Sequence, residues 1–327
     1  MLVVTGGAGF IGSNVVAALE GCGRAVAVVD RLGDDERWRN LAKRELVDLL
    51  PPEETFAFLE ARRNEVEGVV HLGAVSATTE RDVDRLVELN VRPTLGLVEW
   101  CARRGVPLIY ASSAATYGDG SAGFDDDDSP QALARLRPLN AYGWSKQVVD
   151  RRVARLRAEG GPLPPQVVGL KFFNVYGPNE YHKGDMRSVA HKVFEQVRGG
   201  GAARLFRSAH PDYPDGGQMR DFVWVGDCVD LVLWLLDHPE VSGVFNCGSG
   251  KARSFLDLAH AVFSALDEEP RIEWMDMPAE LAGRYQYFTE APMERIRRLG
   301  WTQPATSLEE GVRTYVRDFL LAEDPYR

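Results

Sequence analysis

The sequence predicts an α/β protein: a doubly wound parallel sheet with a second, smaller α/β lobe. Three observations carry that expectation. Short runs that are apolar at every position recur through the first half of the chain, as strands covered on both faces require. Amphipathic stretches of helical period lie between them, and strand–helix alternation specifies parallel pairing with helices on both faces. The rhythm then breaks past Asn174, where Gly177, Pro178 and a polar loop begin a differently patterned segment.

Taken in order, Leu2–Thr5, Ala25–Val29, Val69–Leu72 and Leu108–Ser112 read as buried strands. Helical patterns occupy Ser13–Gly21, Arg44–Arg63 and Asp82–Arg104, and a further helix is expected at Tyr142–Ala158 before a strand at Val167–Phe172. Beyond the polar loop Tyr181–Asp185 come a helix at Arg187–Arg198, a Gly/Pro-rich loop at His210–Gln218 and a strand at Arg220–Val225. Helix Asp227–Leu236 and the run Val244–Cys247 are expected to return the chain to the sheet. Helices at Ser254–Leu266 and Leu308–Leu320 complete the smaller lobe. Residues 1–174 with 220–250 are thus assigned to the first domain, and 175–219 with 251–327 to the second.

The bulk properties narrow the partners. With 48 acidic and 38 basic residues, a net charge of −10 disfavours nucleic acid or an anionic membrane, which need a basic footprint. The apolar start lacks a basic flank, and no run approaches the ~20 apolar residues of a spanning helix, so a cytoplasmic protein is expected. Cys22, Cys101, Cys228 and Cys247 have no metal-ligand spacing and read as buried thiols; no metal is expected. The acidic run Asp125–Asp128 reads as a solvated loop.

The first strand runs into Gly6-Gly7-Ala8-Gly9-Phe10-Ile11-Gly12, with a helix opening behind it. Gly6 suits a tight turn, Gly9 a close approach of backbone to a pyrophosphate, and Gly12 close helix–strand packing. Helix amides and dipole then bind phosphate. Asp30 ends the second strand at the position where a ribose hydroxyl is held, so a dinucleotide site is predicted. Asp30 alone favours NAD, because a carboxylate repels a 2′-phosphate. Arg31 and Arg37 favour NADP by offering that phosphate charge-assisted bonds, unless they are only solvated loop charges. The third strand ends in His71-Leu72-Gly73-Ala74-Val75-Ser76, where Leu72 to Ser76 pass beneath the cofactor and His71 reads as a hydrogen-bonded core residue.

Tyr142 and Lys146 stand four apart on one helical face. A nearby ammonium favours the phenolate, which makes tyrosine, ordinarily titrating near ~10, a usable base. The fourth strand delivers Ser112, Ser113 and Thr116 to a carboxyl-terminal edge, where open α/β sheets bind ligands. Ser113 is placed to hydrogen-bond the substrate oxygen whose proton Tyr142 exchanges.

These segments, with Phe173-Asn174-Val175-Tyr176-Gly177-Pro178, resemble the extended short-chain dehydrogenase/reductase superfamily, whose sheet is of the Rossmann kind, over nearly the whole chain. His182-Lys183-Gly184, Arg220-Asp221-Phe222-Val223 and Gly283-Arg284-Tyr285-Gln286 most resemble its ADP-heptose 6-epimerase family. The resemblance implies tightly bound NADP, a nucleotide-sugar substrate (ADP-heptose), oxidation at C6 and return of hydride to the opposite face, in supply of lipopolysaccharide. It implies Lys183 as the second proton-handling group and as a cofactor contact, with Asn90 and Val175 also at the cofactor. Asn174, Asp185, Lys192, Phe206, Arg207, Ser208, Ala209, Arg220 and Tyr285 fall at its substrate-binding positions. By residue type alone, Lys183 reads as a surface lysine, and Arg220 as either a pyrophosphate ligand or an ion-pair partner of Asp221 or Asp227. A homo-oligomer is also implied, a pentamer being one form.

The chain departs from the family pattern in places. Asp185 stands where serine is common, Pro52 where a cofactor-contacting lysine is expected, Arg37 at an adenosine-side lysine position, and the His210–Gln218 loop is long. Two rival functions remain: a UDP-sugar 4-epimerase on the same fold, and a non-catalytic dinucleotide-binding sensor. A dehydratase is disfavoured, because Ala114 and Ala115 fill the positions of its acidic pair.

Overall fold

The computed structural model describes residues 1–278 and 285–327. β1 (Leu2–Thr5) enters the glycine turn and α1 (Phe10–Gly21), and β2 (Val26–Val29) lies beside β1. β3 (Asp48–Leu50) is a short edge strand paired with β2, followed by α2 (Thr55–Ala61) and β4 (Gly68–His71). The helix expected over Arg44–Arg63 is therefore confined to its second half. Pro51-Pro52 accounts for this: proline excludes helical backbone before it and removes an amide donor, leaving 48–50 extended.

α3 (Val83–Leu86) continues through a π-type turn at Val87–Val91 into α4 (Arg92–Arg104), and β5 (Leu108–Ser113) follows. α5 (Pro130–Leu133), α6 (Ala141–Ala158) and β6 (Val167–Phe172) complete the first half. β7 (Asn174–Tyr176), α7 (Val189–Arg198), β8 (Ala203–Phe206), β9 (Met219–Trp224), α8 (Val225–Asp237) and β10 (Gly243–Cys247) come next. The chain ends with β11 (Ala252–Ser254), α9 (Phe255–Ala265), β12 (Ile272–Met275), α10 (Glu294–Arg298) and α11 (Leu308–Thr314), whose axis runs on through 315–320.

Seven strands form one parallel sheet in the order β10-β6-β5-β4-β1-β2-β3. The chain winds outward from β1 to β3, then returns to β4 on β1's other side, and this reversal opens a crevice at the carboxyl ends of β1 and β4. Strand alternation sends Leu2 and Val4 to one face, against Val15, Leu19, Val232 and Leu235 of α1 and α8. Val3 goes to the other, against Leu97, Val98, Val149 and Val153 of α4 and α6. The return of Val244–Cys247 to the sheet is as expected. β9, expected at Arg220–Val225, instead joins a separate three-stranded sheet, β11-β9-β7, and β12 pairs with β8. A third apolar cluster, with Val193, Phe194, Leu205, Leu258, Val262 and Val312, lies under those small sheets.

Two minor expectations fail. Asp125–Asp128 is only in part a solvated loop: Asp125 and Asp127 are exposed, but Asp126 is buried and accepts the Asn246 amide at 2.9 Å, and Asp128 pairs with Arg157 and Arg295 at 2.5 Å each. The run fastens β10 to the body of the protein. Cys22 is exposed, while the other three thiols are buried. No described helix is long and apolar enough to cross a membrane.

Candidate active site

Gly6 carries φ +67°, and a Cβ there would meet the Gly73 amide nitrogen at 2.5 Å. At Gly12 a Cβ would lie 2.0 Å from the Gly6 carbonyl oxygen. Both glycines are thus steric requirements of the turn. No side chain caps the first turn of α1, which leaves its amides at Phe10 and Ile11 free for a ligand. Asp30 accepts the Ala8 amide at 2.9 Å and the Arg31 amide at 2.8 Å, and burial raises its pKa. An uncapped helix start, a cradle closed to any Cβ and a carboxylate at the end of β2 together fit a dinucleotide.

Arg37 lies 3.7 Å from Asp30, donates to the Arg31 carbonyl at 3.1 Å, and has a buried Nε without a partner. Arg31 turns outward to Glu53 at 2.8 Å. Of the two guanidiniums, only Arg37 is held over the Asp30 carboxylate.

Leu72 and Gly73 pass against the glycine turn, the Gly73 amide donating to Thr5 Oγ1 at 3.2 Å. Ala74 to Ser76 follow, and there Asn90 fixes the backbone, accepting the Val75 amide at 2.8 Å and donating to its carbonyl at 3.0 Å. The same Asn90 amide group lies 3.1 Å from Ser145 Oγ on α6, so the π-type turn couples the cofactor edge to the Tyr142 helix. His71 sits between Thr5 (2.5 Å) and Thr94 (2.9 Å); burial and the Lys146 charge push it down to about 3, a neutral core histidine as expected.

Asn140 caps α6 by accepting the Gly143 amide at 2.8 Å, which sets the first turn bearing Tyr142. Burial raises the Tyr142 phenol above its ordinary value, opposed by a hydrogen bond with Ser113. The Ser113 hydrogen bond is thus the influence that favours the ionised phenol in the chain alone. Lys146 is only 4% exposed, and desolvation pushes it down to about 8 against the attraction of Asp150. Asp150, one turn further on, is itself held by Lys171 at 2.9 Å, Ser112 at 2.6 Å and Tyr110 at 3.0 Å. Sequence reasoning missed this buried pair; Lys171 inside an otherwise apolar strand was the available signal.

Lys183 is half-buried rather than a fully exposed surface lysine. Its ammonium lies 5.4 Å over the Phe10 ring at the start of α1, and burial lowers its pKa against the pull of Glu180. The preceding segment is bolted to the glycine turn. Asn40 donates to the Ala8 and Asn179 carbonyls at 2.8 and 3.1 Å, Asn14 to the Pro178 carbonyl at 3.0 Å, and Asn179 to Ser13 Oγ at 3.0 Å.

Among the expected substrate contacts, Asn174 opens β7 with Val175 behind it, paired in register with Phe222 and Val223. Lys192 donates to the Asp185 carbonyl at 2.6 Å. Phe206 ends β8; Arg207 pairs with Asp215 at 3.1 Å, the Ser208 hydroxyl is taken by the His210 carbonyl at 2.9 Å, and Ala209 is exposed. Arg220 is buried beneath the Tyr285 ring at 5.1 Å, and among the described residues its guanidinium donates to the Met219 carbonyl alone. Neither acid offered as its partner takes it: Asp221 accepts the amides of Ser249, Gly250 and Ala291, and Asp227 accepts Thr306. Among the described residues Arg220 is a buried cation without an anion. Of the Gly283–Gln286 motif, Gly283 and Arg284 lie outside the described residues.

The chain matches the model of the NAD dependent epimerase/dehydratase family over residues 2–248. It is 53% identical, across 100% of both chains, to the ADP-L-glycero-D-manno-heptose-6-epimerase of Nitratidesulfovibrio vulgaris strain DP4. Among solved structures it resembles that epimerase from Helicobacter pylori, with a TM-score of 0.79 and 26% identity over 97% of this chain and 95% of that one. A UDP-glucose 4-epimerase from Thermus thermophilus in complex with NAD gives a TM-score of 0.74 and 26% identity, over 98% and 99%.

Proposed function

Because the chain belongs to the NAD dependent epimerase/dehydratase family, we propose that it converts ADP-D-glycero-D-manno-heptose into ADP-L-glycero-D-manno-heptose by inverting C6. Its cofactor is NAD(P), and the position of Arg37 over Asp30 favours NADP: the guanidinium offsets the carboxylate's repulsion of a 2′-phosphate. The dinucleotide, when bound, supplies a hydride acceptor that then serves as donor. Everything else falls to this chain's residues.

Phe10, Ile11, Gly12 and the Gly6–Gly9 turn hold the pyrophosphate of the cofactor, and Leu72 to Ser76 with Asn90 and Val175 shape its far side. Ser113 orients the C6 oxygen. Tyr142 takes the hydroxyl proton as the alcohol becomes a ketone, with Lys146 supplying positive charge to the same pocket. Inversion requires the ketone to present its other face, where a second group must return the proton. The Lys183 ammonium at the glycine turn is the observation that carries this reading: a single-base 4-epimerase has no use for it. Arg220 takes the substrate diphosphate, with Tyr285 over it and Asn174, Asp185, Lys192 and Phe206–Ala209 along the sugar nucleotide. In this reading residues 1–174 with 220–250 bind chiefly the dinucleotide and 175–219 with 251–327 chiefly the substrate, with Ser113, Asn174, Val175 and Arg220 serving across that division. The product feeds the lipopolysaccharide inner core in the cytoplasm, and the working form is a homo-oligomer.

The test is conversion of the ADP-heptose against a panel of UDP-sugars, with the native chain and Lys183→Ala. The proposal expects the L-epimer from the ADP-heptose alone, and loss of turnover in Lys183→Ala with dinucleotide still bound. Equal 4-epimerisation of UDP-glucose by both proteins would overturn it.

A further inference from the structure

The long His210–Gln218 loop is not a loose insertion. The Gly216 amide donates to the Phe206 carbonyl at 3.3 Å, the Ser208 amide to Asp215 at 2.9 Å, and Gln218 Nε2 lies 3.4 Å from the Phe206 and Arg207 carbonyls. Gly216, at φ +69°, sits so close over the Trp274 indole that a Cβ would meet it at 2.9 Å. The loop is therefore pinned to β8 and β12, and its two rings have a fixed destination.

Those rings join a continuous aromatic row that starts at Arg220. Tyr285 covers the guanidinium at 5.1 Å, and Tyr287 meets Tyr285 edge-on at 5.2 Å. Tyr287 in turn contacts Tyr213 at 5.2 Å and His210 at 5.1 Å, and these two meet at 5.5 Å. The inner end of the row is tied to the catalytic side. Gln286, between the two tyrosines, donates to the Gly118 carbonyl at 2.7 Å, just past the turn that begins at Ser113. The outer end is open: Tyr213 and Tyr287 are half-buried and His210 exposed.

From Ser113 outward, the order is hydroxyls, a buried cation that no described residue pairs, then a shelf of half-exposed rings. A nucleoside diphosphate sugar presents the same order of chemistry: reacting hydroxyl, diphosphate, base. We infer that His210, Tyr213 and Tyr287 form the stacking shelf for the substrate's nucleobase, so that the long loop sets how tightly the nucleotide end is held. This rests on the nucleotide-sugar reading above. Flat π-faces recognise a base by stacking, and the contribution falls on binding rather than on the reacting centre.

The experiment is calorimetry on the dinucleotide-loaded protein, titrated with ADP, UDP and inorganic pyrophosphate, for the native chain, His210→Ala/Tyr213→Ala and the ring-preserving His210→Phe/Tyr213→Phe. The shelf predicts that the alanine pair weakens ADP by about five- to one-hundred-fold. Pyrophosphate affinity stays within about two-fold, the phenylalanine pair restores ADP binding, and the KM for the nucleotide sugar rises while kcat holds. Unchanged ADP affinity in the alanine pair overturns the inference. So does an equal loss for pyrophosphate, which would mean that the loop only shapes Arg220. Ring-dependent ADP binding without turnover of any nucleotide sugar would leave the shelf standing and sink the epimerase reading instead.

Discussion

Exchanging the Tyr142 phenol for phenyl removes a single oxygen from a pocket that already raises its pKa by burial, so Tyr142→Phe is expected to fold. Turnover should fall by about 10²–10⁴-fold, the usual worth of a positioned acid–base group, with the dinucleotide retained; single-turnover assays and absorbance of bound cofactor check both. Lys146 carries a stability cost that its proposed role explains. A fall from the ordinary 10.5 to about 8 means that charging the buried ammonium costs about 3 kcal/mol. Below pH 8 that cost is fully present. Between pH 8 and 10.5 the folded lysine sheds its proton while the unfolded one keeps it, so the cost fades. Lys146→Met is therefore expected to be inactive yet to melt above the native chain at pH 7, with the gap closing by pH 10. A variant that melts lower at pH 7 would show that the ammonium is a net stabiliser. Spacing on one helical face, with a hydroxyl-bearing strand end beside it, singled out Tyr142, Lys146 and Ser113 as candidates. It did not reveal that Lys146 is drawn toward Asp150, because that acid's other partners lie on β5 and β6.

The glycine turn shows what an element contributes beyond its side chains. Gly12→Ala would place a methyl 2.0 Å from the Gly6 carbonyl, so the turn must open. Loss of the retained dinucleotide and a stability loss of about 1–3 kcal/mol are expected, by mass spectrometry of released cofactor and by urea unfolding. The parallel strands were legible because both faces are buried, which writes them as unbroken apolar runs. β3, β7, β8, β11 and β12 were not, since each is three or four residues long and half exposed. Pro51-Pro52 was a readable stop signal that the helical pattern over Arg44–Arg63 obscured. The long loop was visible in the sequence, but its rings meet Tyr287 only through the fold.

At the scale of the whole molecule, the proposed two-group chemistry requires the segment 178–183 to be bolted onto α1. Asn14, fully buried, donates to both the Phe10 and Pro178 carbonyls. Asn14→Ala strands the Pro178 carbonyl and loosens the support of Lys183. A cost of about 1–3 kcal/mol in unfolding is expected, with kcat falling more than dinucleotide affinity. Equal loss of both would place the fault in the glycine turn itself. No periodicity announces such a bolt, because its two ends are 164 residues apart. The sequence suggested Lys183 only by resemblance; the side chain's place over Phe10 is a tertiary fact. The central claim, oxidation and re-reduction at C6 within one pocket, is tested most directly with ADP-D-glycero-D-manno-heptose deuterated at C6. The account predicts an L-epimer that keeps its deuterium, with none released to water. Washout of the label into solvent during inversion would contradict it.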